Sequence, residues 1–74
     1  MLLCNGIIGN TYSIDEISLP VSMKRRLEAL GMTKEAQVSI LNRKGKGILI
    51  IKVRGTRLAL GVNITKNIRV GEIA

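Results

Sequence analysis

Apolar and polar positions alternate with a period of two in most of this chain and with a helical period in one segment. From Asn10 to Ile17, Tyr12 and Ile14 fall on one face behind a Gly9-Asn10 turn, which predicts a strand. The period then lengthens. Met23, Leu27 and Leu30 recur at spacings of four and three, placing them on one side of a helix with Lys24, Arg25, Arg26 and Glu28 turned elsewhere. Pro20 suits the first turn, where its missing N–H leaves no helical bond unmade, and Ser18 or Ser22 is placed to cap that end. Gly31 predicts the stop, because glycine adopts the left-handed conformation just past a last turn, and Met32 can then pack back against the helix.

The period of two returns at Ala36, where Val38 and Ile40 alternate with Gln37 and Ser39. Turn chemistry from Asn42 to Gly47 then joins this strand to the run Ile48 to Val53 as a hairpin. The stretch Ile48-Leu49-Ile50-Ile51 is apolar on both faces, so one face meets the core and the other meets the helix or a protein partner. Arg54-Gly55-Thr56 turns the chain again, and Arg57 to Leu60 follows as a strand with Leu58 and Leu60 aligned. Gly61 to Asn67 reads as an irregular or single-turn connection before a final strand at Ile68-Arg69-Val70. Short antiparallel strands avoid exposed edges best by curling up. The expected fold class is therefore mainly β, a small SH3-like antiparallel β-barrel of about five strands with one short α-helix between strands 1 and 2. Residues 1–74 read as a single domain, without repeats or low-complexity linkers.

Composition narrows the chemistry. With 46% hydrophobic and 23% charged residues the chain is globular rather than disordered. It has no His, which removes the usual general base near neutral pH and the commonest transition-metal ligand. Cys4 has no second cysteine to pair with, reads as an ordinary small residue, and points to a cytoplasmic location, which leaves room for a peripheral place at the inner face of the membrane. Asp15 and Glu16 are adjacent in a predicted strand and should face opposite ways, while Glu28, Glu35 and Glu72 lie far off, so no metal-ligand cluster is visible. Catalytic residues, metal ligands and cofactors are each expected to be absent, and the chain is not expected to be an enzyme. The longest stretch without a charge, Met1 to Ile14, is shorter than the roughly 20 apolar residues of a membrane helix and is broken by Asn5, Asn10, Thr11 and Ser13. Gly45-Lys46-Gly47 lies between two strands, so it reads as a hairpin turn and not a phosphate loop.

Charge is what remains. Twelve Lys and Arg against five Asp and Glu give a net +7. Lys24, Arg25 and Arg26 lie on the helix, Arg43, Lys44 and Lys46 on one hairpin, and Arg54 and Arg57 around the next turn. Such a surface attracts nucleic acid, anionic lipid headgroups or an acidic protein face. Single-strand binders of barrel type add stacking aromatics, whereas Tyr12 is the only aromatic residue and belongs to a core-facing strand position. Lys24, Arg25 and Arg26 are therefore the candidate partner-binding residues, with Arg54 and Arg57 as a second patch; a nucleic-acid-binding small barrel is the alternative reading.

Several stretches taken in order resemble the FeoA family, small cytosolic proteins of bacterial ferrous iron transport. They are Ile14-x-x-Ile17, Lys24-Arg25-Arg26-Leu27-x-x-Leu30-Gly31-Met32, Val38, Val53-Arg54-Gly55-Thr56-Arg57-Leu58-Ala59-Leu60 and Ile68-x-Val70. The resemblance implies an SH3-like barrel that works with a FeoB-type membrane transporter carrying a cytosolic GTP-binding domain. It also implies a link to transition metal, Fe(II) or Mn(II). Lys34-Glu35 stands where members often have Pro-Gly, and Lys46-Gly47 where many have Asp-Pro; the second departure removes a carboxylate.

Overall fold

A computed structural model describes residues 1–73. The periodic segments form β1 (Thr11–Ile17), α1 (Val21–Ala29), β2 (Gln37–Lys44), β3 (Ile48–Val53), β4 (Thr56–Leu60), a one-turn α2 (Val62–Thr65) and β5 (Ile68–Glu72). The five strands and the helix between β1 and β2 are as expected. Alternation decides what is inside: Val38 and Ile40 of β2, Leu49, Ile51 and Val53 of β3, and Ile68 and Val70 of β5 are all essentially inaccessible to solvent. The opposite positions of β2 and β3 hold Gln37, Ser39, Ile48, Ile50 and Lys52, none of them buried. No helix among the described residues is long and apolar enough to cross a membrane.

The expected closed barrel is not formed. The sheet is open, in the order β4-β3-β2-β1-β5, and β4 and β5 do not pair. Helical segments stand where the closing ladder would have been. Leu60 leads directly through Gly61 into α2, and a 3-10 turn at Leu3–Asn5 packs beside α2 and β5. Leu3, left in a loose start by its sequence pattern, is fully buried there, and Thr65 of α2 is buried with it. The chain start also covers the edge of β5: Leu2 bridges Arg69, and the Val70 N–H donates to the Met1 carbonyl at 2.8 Å. Curling brings the inner faces together, and apolar helical turns cover the seam in place of strand pairing.

Two bulges reset the alternation. In β1 the pairing with β5 passes from Ile14 opposite Val70 to Glu16 opposite Arg69, leaving Asp15 as the extra residue. Ile14 and Ile17, three residues apart, both reach the core, and Asp15 and Glu16 are both exposed instead of being split between faces. In β2 a second irregularity between Ile40 and Asn42 lets the hairpin run on to Lys44 opposite Ile48. The turn is therefore shorter than the expected 42–47, and Gly45 and Gly47 supply its positive φ values of 56° and 85°.

The stop of α1 follows its sequence closely. Gly31 has φ 105°, the Met32 N–H donates to the Leu27 carbonyl at 3.0 Å, and the Gly31 N–H donates to the Glu28 carbonyl at 3.0 Å. This is the Schellman pair of bonds, and Leu27 and Met32 are both buried behind it. The start differs: Pro20 itself is the capping residue, without a side-chain cap, and the Ser18 hydroxyl donates to Glu16 Oε1 at 3.3 Å.

Because Leu3 is fully buried in the turn that packs beside α2 and β5, Leu3→Ala should cost about 3 kcal/mol, the usual size for a fully buried leucine. Urea unfolding followed by circular dichroism measures it; a loss below about 1 kcal/mol would mean that the 3-10 turn is not part of the core.

Candidate partner-binding surface

A helix of nine residues becomes a surface feature when only one of its side chains is anchored. Leu27 is the single buried residue of α1. Met23 and Leu30, expected on the core side, are 38% and 46% exposed, and Val21 is more exposed still. The apolar stripe is thus mostly uncovered and runs beside Lys24, Arg25 and Arg26, all of which are exposed. Lys24 also lines a shallow concavity with Asp15, Glu16, Glu28 and Lys34, so it sits among carboxylates as well as among cations.

The second predicted patch divides. Arg54 and Gly55 form a two-residue loop with φ values of 49° and 80°, closing the Val53–Thr56 pair as a type I′ hairpin turn. A non-glycine residue in that conformation costs roughly 1 kcal/mol. The Arg54 side chain runs back across the end of α1: a Cβ at position 31 would lie 2.7 Å from Arg54 Cδ, and Arg54 Nη2 donates to Thr33 Oγ1 at 3.5 Å. A guanidinium there also suits the negative end of the helix dipole. Arg54 therefore belongs with α1. Arg57 does not; it stands on β4 directly opposite Lys52 of β3.

Lys52 was absent from the predicted patches, although its place between buried Ile51 and Val53 marks it as outward-facing. Behind the Lys52–Arg57 pair the row continues through Ser39 to Thr11, whose hydroxyls are 3.0 Å apart. Like charges directly across a sheet repel, and β2, β3 and β4 contain no acid to relieve these two. Residues 36–71 contain Arg43, Lys44, Lys46, Lys52, Arg54, Arg57, Lys66 and Arg69 and not one Asp or Glu. Residues 1–35 are balanced, with Lys24, Arg25, Arg26 and Lys34 against Asp15, Glu16, Glu28 and Glu35. The net positive charge therefore resides on β2, β3, β4 and the connections that follow them, while β5 balances Arg69 with Glu72 and the helix carries a mixed face.

The geometry of an open five-stranded sheet with one inserted helix is shared with known proteins. A model of the FeoA domain matches residues 1–72. The chain belongs to the FeoA family. Among solved structures, the FeoA protein of Chlorobium tepidum superposes with a TM-score of 0.93 at 23% identity, covering 100% of this chain and 71% of the other. An iron uptake regulatory protein, also a FeoA, superposes with a TM-score of 0.88 at 23% identity, covering 99% and 97%. The Stenotrophomonas maltophilia FeoA, complexed with zinc, has a TM-score of 0.81 at 25% identity over 95% and 88%. The comparison with curated proteins returned no match.

FeoA membership places the chain in the ferrous-iron transport machinery, and the family is one of non-catalytic adaptors. Among the described residues of this FeoA domain, no three His, Cys, Asp or Glu groups come together at a distance that could hold one ion. The bulge at Asp15 turns that carboxylate and Glu16 outward, and Cys4 Sγ has only Asn5 Oδ1 near it, at 3.9 Å.

Replacing one member of the facing cation pair should stabilise this FeoA domain. Lys52→Glu places a carboxylate opposite Arg57 and is expected to add about 0.5 kcal/mol at low salt, a gain that shrinks as ionic strength rises. Thermal unfolding in a salt series checks it, and a gain independent of salt would show that the pair does not interact electrostatically.

Proposed function

We propose that this FeoA-family chain is a cytosolic accessory protein that docks on the GTP-binding cytosolic part of a FeoB-type membrane transporter and modulates ferrous iron uptake. FeoA-family members generally partner with such transporters. The S. maltophilia relative has been put forward as a bacterial ferrous iron transport activating factor. The observation that carries the reading for this chain is the uncovered face of α1, where Val21, Met23 and Leu30 lie exposed beside Lys24, Arg25 and Arg26.

A partner helix or groove that covers those apolar side chains gains burial, while the flanking cations set the orientation and the rate of encounter. Arg54, lying across the end of the helix, extends the same contact. Arg57 is a second, more distant contact on β4. Iron enters this reading as the transported cargo.

The triple variant K24E/R25E/R26E should bind the soluble domain of the transporter about tenfold more weakly at low salt, with the difference narrowing as salt screens the charges. R54E/R57E should lose less. Fluorescence anisotropy over a salt series measures both; an unchanged affinity of the triple variant removes α1 from the contact, and no association of the parent chain removes the docking itself.

A further inference from the structure

At the opposite end of the sheet from α1, a second set of apolar side chains stands unburied. Ile48 opens β3 and Val62 opens α2, each 43% exposed, and Ile7 and Ile8 on the loop before β1 are exposed further, at 61% and 51%. The fold holds these segments together. Val62 packs over the hairpin turn, so that a Cβ on Gly47 would lie 3.0 Å from its own Cβ. The Arg43 guanidinium donates to the Gly6 carbonyl, tying the loop to the end of β2, and the Gly9 N–H donates to the Ile40 carbonyl at 2.8 Å.

The same end is cationic. Lys44 pairs with Ile48 and Lys46 is the middle residue of the hairpin turn, whereas Lys66, past the far end of α2, lines a concavity with Ser18 and Asn67 on the α1 side. The β2–β3 hairpin, β4 and α2 contain no acid, and Glu72, opposite Tyr12 at the start of β1, is the carboxylate that the pairing brings toward this end.

From this juxtaposition we propose that the end formed by the β2–β3 hairpin, the loop before β1 and α2 docks on an anionic lipid surface. Ile48 and Val62 enter the boundary between headgroups and acyl chains, and Lys44 and Lys46 lie among the lipid phosphates. The shape favours lipid over protein. A protein partner would anchor a side chain in a pocket. Here Ile7 and Ile8 stand on a loop and Ile48 and Val62 at the first residues of β3 and α2, outside the surface concavities that Lys44 and Gly9 help to line. An interface of fluid headgroups needs only protruding apolar side chains with a basic rim. Charge and apolar surface coincide here, whereas the cations of α1 are mixed with acids.

The test uses the full chain and vesicles of phosphatidylcholine alone or of phosphatidylcholine and phosphatidylglycerol in equal parts. The vesicles hold no transporter, so the result stands apart from the docking reading above. Co-sedimentation should occur with the anionic vesicles and not with the neutral ones. K44Q/K46Q should lower the partition coefficient about 30-fold, and I48S/V62S about tenfold. K24Q/R25Q/R26Q, which removes more charge, should lose less than K44Q/K46Q. The chain has no tryptophan, so I48W provides a sole emitter whose fluorescence should shift to the blue on the anionic vesicles, while M23W should not shift. This readout holds even where I48S/V62S fails to fold. The proposal is overturned by absence of binding to the anionic vesicles, by losses that follow total charge regardless of position, or by an unmoved I48W emission. Preferential capture of RNA that is indifferent to I48S/V62S would also overturn it.

Discussion

The seam between β4 and β5 is the constraint on which the rest of the molecule depends. A short chain buries only about 60% of the surface it exposes when unfolded, so it has little apolar area to spare on a gap. The core is almost wholly aliphatic, with Tyr12 as its one aromatic member, its hydroxyl accepting the Ile7 N–H at 2.9 Å. Five curled strands enclose most of this core, and strand pairing does not complete the enclosure. Leu3 and α2 do so instead, which is why the first residues of the chain are as much a part of the fold as its strands.

Once the inside is settled, the outside follows from it. Bulges at Asp15 and Leu41 keep Ile14, Ile17 and Ile40 pointing inward across irregular pairing, and the residues they displace become surface. The first displaces a carboxylate and so places Asp15 and Glu16 together beside α1, the region that also holds Glu28. The β2–β4 part has no acids, and its like-charged cross-strand pair is a local cost accepted on an outer face. Arg57 on the edge strand β4 also discourages another sheet from adding there. The two ends of the sheet thus differ in kind: one carries mixed charges around a thinly anchored helix, the other cations around isoleucine.

Much of this was legible from residue order alone, where a single local rule acts. Gly31 marks a helix stop because the left-handed conformation and the Leu27–Met32 contact are satisfied together, and Arg54-Gly55 marks a tight turn for similar reasons. The strand cores at Val38, Ile40, Leu49, Ile51 and Val53 are visible in their alternation. Closure was not legible, because it depends on whether β4 meets β5, a contact between elements that no local pattern encodes. Leu3 was missed because a lone leucine in a loose start has no period. Met23 and Leu30 misled for the opposite reason: their spacing is helical and apolar, but α1 reaches the core through Leu27 alone, so periodicity described the helix correctly and its environment wrongly. Of the site, the exposure of Lys24, Arg25 and Arg26 was readable, whereas the division of Arg54 from Arg57 and the part played by Lys52 required the strand register.

A helix that is fastened through one leucine side chain and a glycine stop behaves differently from the sheet it rests on. Few apolar contacts resist its departure, so the amides of α1 are expected to exchange with solvent before those of β2 and β3. Lifting it costs the sheet none of its ladders. The molecule therefore combines a rigid body with a detachable lever, and whatever grips that lever can reposition it without first unfolding the frame.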